Sequence, residues 1–322
     1  MNTIDPHKPE VVEKLILLIR ALPQKSPTSA MYSGALNLMK HLLDEHPQWT
    51  EQITEEVLQI MDRVPQERIS DFWALLTKYE SDLQVKKQML DRMFQRDDID
   101  SPELWEAVSH LVSFSGGKGL VRKAAEKASS LEDDDLYEMF FESTFENILG
   151  QAITLDGEEV ENHYQSLDDL LGTADGEIID QALEIAVKSI YFHEKMAMSL
   201  NYDEILSRVE RAVNMIIGHG ADIEKPTSFI DAREDIDLSL TGPLHLACIL
   251  HENDEEEKSH GIGIQALLNC GADWNSVLEH RNAPKGAAIS LIEKHPAFKR
   301  QKLLEIGSSK QEKRKRTSRP GI

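Results

Sequence analysis

Along residues 9–150 the apolar positions recur at the spacing of helices that bury one face. Ile53, Val57, Met61 and Val64 form one stripe, and Ile69, Phe72, Trp73 and Leu76 form the next. Val85, Met89 and Met93 follow, then Leu104, Val108, Leu111 and Val112. Pro47 and Pro65 fall between stripes. Ser101-Pro102-Glu103 supplies an N-cap, a first-turn proline and an acid suited to a helix N-terminus. Ser115-Gly116-Gly117 reads as a helix–helix turn. The helix opening at Asp133, Asp134 and Asp135 carries Leu136, Phe140 and Ile148 beside Tyr137, Phe141, Phe145 and Leu149, and Gly150 is placed to end it. This half has no strand pattern. Short connections between helices predict hairpins stacked in a bundle or solenoid.

Downstream, Asp156-Gly157 signals a turn and residues 160–171 a helix. A further helix buries Ile179, Ala182, Leu183, Ala186 and Ile190. Another runs from about Asp203, with Ile205, Val209, Val213 and Ile216 on one face, and ends at His219-Gly220. The expected fold class is all-α.

Two motifs add information to this periodicity. An apolar helix ending in Ile216-Ile217 leads into Gly220-Ala221-Asp222-Ile223. Gly242-Pro243-Leu244-His245-Leu246-Ala247-Cys248 follows, and Ala266-Leu267-Leu268-Asn269-Cys270-Gly271-Ala272-Asp273-Trp274-Asn275 closes the series. In this order they resemble the two halves of ankyrin repeats, with Gly242 in the slot of the family's first threonine. The two Gly-Ala-Asp turns start at Gly220 and Gly271, 51 positions apart, whereas the ankyrin period is about 33. The excess falls in two insertions, one between Asp222 and Gly242 and one over residues 251–260. Ala283-Pro284 with residues 287–292 resembles a degraded following repeat. Residues 182–186 resemble an inner helix preceding the first turn.

The resemblance covers roughly residues 175–296 and is strongest over 211–275. It implies an all-α helical solenoid in which an N-terminal helical-hairpin bundle or repeat region (1–174) stacks on a short divergent ankyrin array (175–298), the two packing as one elongated body. A basic, disordered tail (299–322) follows. It also implies a structural, hydrogen-bonding His245. Divergent repeats joined to such a helical region further resemble ankyrin effectors that intracellular bacteria inject into host cells, which would place the chain inside a host cell after secretion.

Charge narrows the partners. The tail after Phe298 holds nine Lys/Arg and two Glu, a net +7, while the preceding 298 residues hold 26 basic against 55 acidic, a net −29. So acidic a body argues against nucleic acid and for another protein as partner. No apolar run approaches the roughly 20 residues of a membrane span. The opening residues, with Asp5, Lys8 and Glu10, lack a signal-peptide pattern. Two cysteines, Cys248 and Cys270, form no disulfide framework and read as buried thiols in an intracellular, cytoplasmic protein.

The chemistry-bearing motifs are weak. The acidic stretch 251–260 lacks zinc-ligand or EF-hand order, Ser115-Gly116-Gly117-Lys118-Gly119 is not a Walker A loop, and the histidines form no HExxH. No catalytic site, metal or cofactor is expected. The candidate binding surface is the enlarged finger 226–240, where Phe229 and Ile230 stand beside Asp231, Arg233, Asp235 and Asp237, as anchors and charges do in interaction loops. The other reading of Phe229 and Ile230 folds them back onto the helices. Trp274 occupies a Val/Ile slot of the family, either as core at the repeat edge or as a contact. Lys313-Arg314-Lys315-Arg316 suits an importin-type receptor, an anionic surface or the chain's own acidic body. The expected function is a non-enzymatic protein–protein adaptor. The alternatives are an enzyme hidden in 1–174 with the repeats selecting substrate, and a nuclear factor directed by the tail.

Overall fold

Helix after helix in the computed structural model begins at the cap its sequence supplies. Asp82, Asp175 and Asn201 each accept a backbone N–H from the first turn that follows them. Ser101 Oγ accepts Leu104 N–H at 3.2 Å, and Asp133 accepts Leu136 N–H at 3.0 Å. The structure describes residues 9–302 apart from 23–28, 61–63, 65, 80–81, 97–98, 114–118, 156, 158, 197–200, 232–235, 254–259, 281–282 and 285. Two compact units emerge: residues 1–148 with 157–173, and residues 149–156 with 174–322.

The first unit comprises α1 (Pro9–Ala21), α2 (Ser29–Glu45), α3 (Thr50–Ile60), α4 (Gln66–Tyr79), α5 (Leu83–Met93), α6 (Pro102–Ser113), α7 (Leu120–Ser129), most of α8 (Asp134–Thr154) and α9 (Glu159–Leu171). Helices two apart in sequence pack side by side: α1 on α3, α2 on α4, α4 on α6, and α7 on α9. That is the pattern of stacked hairpins. Phe72, Trp73 and Leu76 are fully buried in α4. Trp105 of α6 meets Phe140 of α8 edge-on at 5.1 Å between ring centroids, and its indole N–H donates to Ile99 O at 2.7 Å. Glu56 of α3, 8% exposed, is held by the Arg20 guanidinium of α1 through both carboxylate oxygens.

One expectation fails here. Gly150 does not end α8, which continues to Thr154. The glycine is instead a packing device: a Cβ at 150 would fall on the imidazole of His193. The helix stops four residues later, where Arg208 donates its guanidinium to the free carbonyls of Ile153 and Leu155.

The second unit holds that end of α8 with α10 (Gly176–Met196), α11 (Tyr202–Gly218), β1 (Thr227–Asp231), β2 (Ile236–Leu240), α12 (Pro243–Glu252), α13 (Ile262–Asn269), α14 (Trp274–Leu278), α15 (Ala287–Lys294) and a final helical stretch over 296–302. α10 and α11 form one hairpin and α12 and α13 the next. α10 packs on α12 and α12 on α15 in one layer, while α11 packs on α13 in the other. Gly263 of α13 faces Ile190 and Ala247, whose Cγ2 and Cβ lie 3.6 and 3.9 Å from where its Cβ would stand, ordinary packing distances. The fold is all-α, with one two-stranded ribbon inserted between the hairpins.

Candidate protein-binding site

The two Gly-Ala-Asp segments build the same turn twice. Gly220 (φ +110°) and Gly271 (φ +101°) take a conformation that side chains disfavour. Ala221 N–H donates to Ile216 O at 3.3 Å, and Ala272 N–H to Leu267 O at 3.0 Å, five residues back in each case. Asp222 then accepts Glu224 N–H at 2.9 Å, as Asp273 accepts Asn275 N–H at 3.0 Å. Each turn also donates its Asp N–H to an upstream carboxylate, the first to one in α10 of its own hairpin and the second to one in the loop that follows the first turn. Asp180 accepts Asp222 N–H at 2.8 Å, and Glu224 accepts Asp273 N–H at 2.7 Å.

Sequence reading missed Asp180 and Glu224. They stand 42 and 49 residues before the N–H groups they bind, so no fixed offset reveals them. Burial works to raise the Asp180 carboxyl, but the Asp222 N–H and the Lys225 ammonium, 3.0 Å away, outweigh it and hold it below the usual range. Glu224 goes the other way. Burial and the nearby Asp273 and Asp222 carboxylates exceed the benefit of its N–H bond and hold it above. The base of the finger is therefore strongly acidic.

The stretch expected as a finger loop is an antiparallel ribbon. Its register pairs Thr227 with Leu240, Phe229 with Leu238, and Asp231 with Ile236; between these, Ser228 pairs with Ser239 and Ile230 with Asp237. Directly opposed positions share a face, so the candidate residues divide. Phe229 and Asp231 belong by register to the face of Leu240, a buried residue, and Ile230 and Asp237 belong to the opposite face. Arg233 and Asp235 lie outside the described residues, as do Lys313, Arg314, Lys315 and Arg316 of the tail. The ribbon packs through both strands on α12.

His245 in α12 is completely buried, and its Nδ1 accepts the Thr241 N–H at 3.3 Å. The donor is the residue before the Gly242 slot. Gly242 itself runs against chain 223–225, where a Cβ would stand 3.3 Å from Lys225 O. The His245 ring also meets His280 edge-on at 5.1 Å between centroids. Trp274 opens the short helix α14, capped by Asp273. It is half-buried, packed edge-on against Phe298 at 5.7 Å, with the Lys302 ammonium 4.7 Å over the Phe298 ring.

Cys248 is buried as expected, and burial pushes its thiol far up. Cys270 departs from expectation. It sits only partly buried just after α13, its Sγ directed at Glu210 O of α11, since it falls in the turn that ends the helix rather than on the helix's packed face. Burial and then the Glu210 charge still raise its thiol to about 11. Neither setting suits a nucleophile. Between α10, α12 and α13, a cavity lined by Val187, Tyr191, Ala247, His251 and Ile264 has room for about one water molecule. Among the described residues no cluster of three or more metal-ligating side chains occurs, and no helix is long and apolar enough to cross a membrane. Comparison with protein-family models, with curated proteins and with solved structures finds no match to this chain.

Proposed function

We propose that the chain is a non-enzymatic protein–protein adaptor built on divergent ankyrin repeats, which engages its partner with the ribbon 227–240. The observation that carries this reading is the duplicated turn. Two Gly-Ala-Asp segments share one hydrogen-bond pattern, and the second is tied to the loop after the first by Glu224, with a β ribbon set between hairpins whose helices stack layer on layer. A single copy of such a turn is a common helix ending; two copies in register with stacked hairpins are what a repeat array requires.

Within the ribbon, the paired positions Ile230 and Asp237, opposite in register to the face of Leu240, are the ones taken as the partner contact. Asp180, Asp222, Glu224 and Asp273 surround its base, so the partner presents an apolar contact flanked by basic residues. Capture from a cell lysate, comparing the intact chain with Ile230→Asp/Asp237→Lys and with residues 228–238 replaced by a short Gly-Ser link, tests this. Loss of the same partner in both variants supports it. Retention of every partner by both removes the ribbon as the site. Placement in the cytoplasm or nucleus of a cell, a bacterial effector's host cell included, belongs to the same proposal; deleting residues 310–322 and following localisation tests the tail's share.

A further inference from the structure

The last described segment is fastened by an unusual cap. His295 ends α15 in extended conformation (φ −61°, ψ 137°), and the helical stretch 296–302 starts immediately after it with Pro296. Its Nδ1 accepts the Ala297 N–H at 3.3 Å, and its backbone carbonyl accepts Lys299 N–H at 3.2 Å, so the imidazole occupies the N-cap role usually filled by Ser, Thr, Asp or Asn. An accepting Nδ1 fixes the tautomer, with the proton on Nε2, and Nε2 lies 2.8 Å from Asn269 Oδ1. Asn269 in turn donates its amide to Glu210 of α11. Donors and acceptors run in one consistent direction across three elements, and the ring is 5% exposed.

We infer that His295 is an acid-sensitive latch: the neutral imidazole caps helix 296–302, and protonation at Nδ1 releases that helix while leaving the ring's other side attached. A proton on Nδ1 removes the only lone pair able to accept Ala297 N–H, and it places positive charge at a helix N-terminus, the end that disfavours cations. Nε2–H remains a donor to Asn269 in either state, so the link to α13 and α11 survives. The charged and titratable groups on the elements that meet here are Glu210 of α11, linked to the ring through Asn269, then Glu293 and Lys294 of α15, Lys299, Arg300 and Lys302 of the helix it caps, and His245, His251 and Glu252 of α12, which packs on α15. Cys270 of α13 lies beside Asn269 as a neutral thiol. Burial disfavours the imidazolium, and the ring sits below its ordinary range. The capped form is therefore strongest above the free ring's pKa near 6.5 and weakens as pH falls below it. Helix 296–302 carries Phe298, the aromatic partner of Trp274, so release also uncovers the Trp274 edge.

The test is amide hydrogen exchange of the full chain between pH 7.5 and 5.0, corrected for the intrinsic pH dependence of exchange. Wild-type amides of 297–302 are expected to lose protection by about tenfold per pH unit below 6.5, until the capped ring itself titrates. In His295→Asn, whose amide caps without titrating, protection of the same amides stays flat. A flat wild-type profile, or an equal fall in the variant, overturns the latch. Ring ¹⁵N shifts of wild-type His295 at pH 7.5 provide a check that needs no variant: a proton found on Nδ1 overturns the cap itself.

Discussion

Gly150 of α8 lies against the imidazole of His193 on α10, so closely that a Cβ at position 150 would overlap the ring's Nε2. A glycine inside a 21-residue helix costs stability by itself, and this contact explains why it is there.

Gly150→Ala is therefore expected to destabilise by about 1–3 kcal/mol, the strain of overpacking exceeding a gain of roughly 1 kcal/mol in helix propensity. In a His193→Ala background the same substitution is expected to become neutral or stabilising. Urea unfolding of the four proteins of this cycle measures it, and additive effects would remove the contact from the account.

Gly261 stands at φ +67° at the start of α13, and a Cβ there would overlap Leu291 Cδ1 of α15. Gly261→Ala combines a left-handed backbone with a clash between packed helices, so a loss of about 2 kcal/mol or more is expected. Gly157→Ala serves as the control. Its φ is +94°, but nothing lies within 4 Å of the added Cβ, so it bears the backbone cost alone. The two melting temperatures separate packing from conformation.

Acid stability follows from three imidazoles. Burial lowers the pKa of His163, His193 and His295, with the Glu159 charge opposing it at His163. Between each folded pKa and the unfolded value near 6.5 the unfolded chain binds more protons, so stability is full above about pH 6.5 and falls as pH drops through it. His163 is 3% exposed and its Nδ1 has no hydrogen-bond partner among the described residues, so it contributes a slope of at most about 1.4 kcal/mol per pH unit. Urea midpoints at pH 7.5 and 5.5 are expected to fall in the wild type and to fall less in His163→Asn.

Thiol labelling at pH 8 is expected to separate the cysteines. With its thiol raised to about 11, Cys270 should react roughly two orders of magnitude more slowly than a free thiol. Cys248, buried in α12, should react only on unfolding. Rapid native labelling of Cys248 would show that α12 opens readily.

Much of the helical fold was legible because its signals are local. Ser101 and Asp133 cap the helices their positions foretold, and the stripe Phe72, Trp73 and Leu76 is fully buried. The two Gly-Ala-Asp motifs likewise located the ends of α11 and α13. Gly150 was misread because a glycine that ends a helix and one that admits a neighbour's ring are the same letter, and only the position of His193 decides between them. For the candidate site, composition marked out the ribbon 227–240. Its strand register, which separates Ile230 and Asp237 from Phe229 and Asp231, depends on pairing between two segments whose side chains follow no clean alternation.

By itself the sequence determined most of the helices, the caps at Ser101 and Asp133 and the duplicated turn, since each rests on contacts within about five residues. Tertiary structure decided which carboxylate binds which turn, why Gly150 and Gly261 are glycines, and that His295 caps a helix while reaching Asn269 and, through it, Glu210. Those relations join groups tens of residues apart, and only the packing of hairpin on hairpin fixes the distances between them.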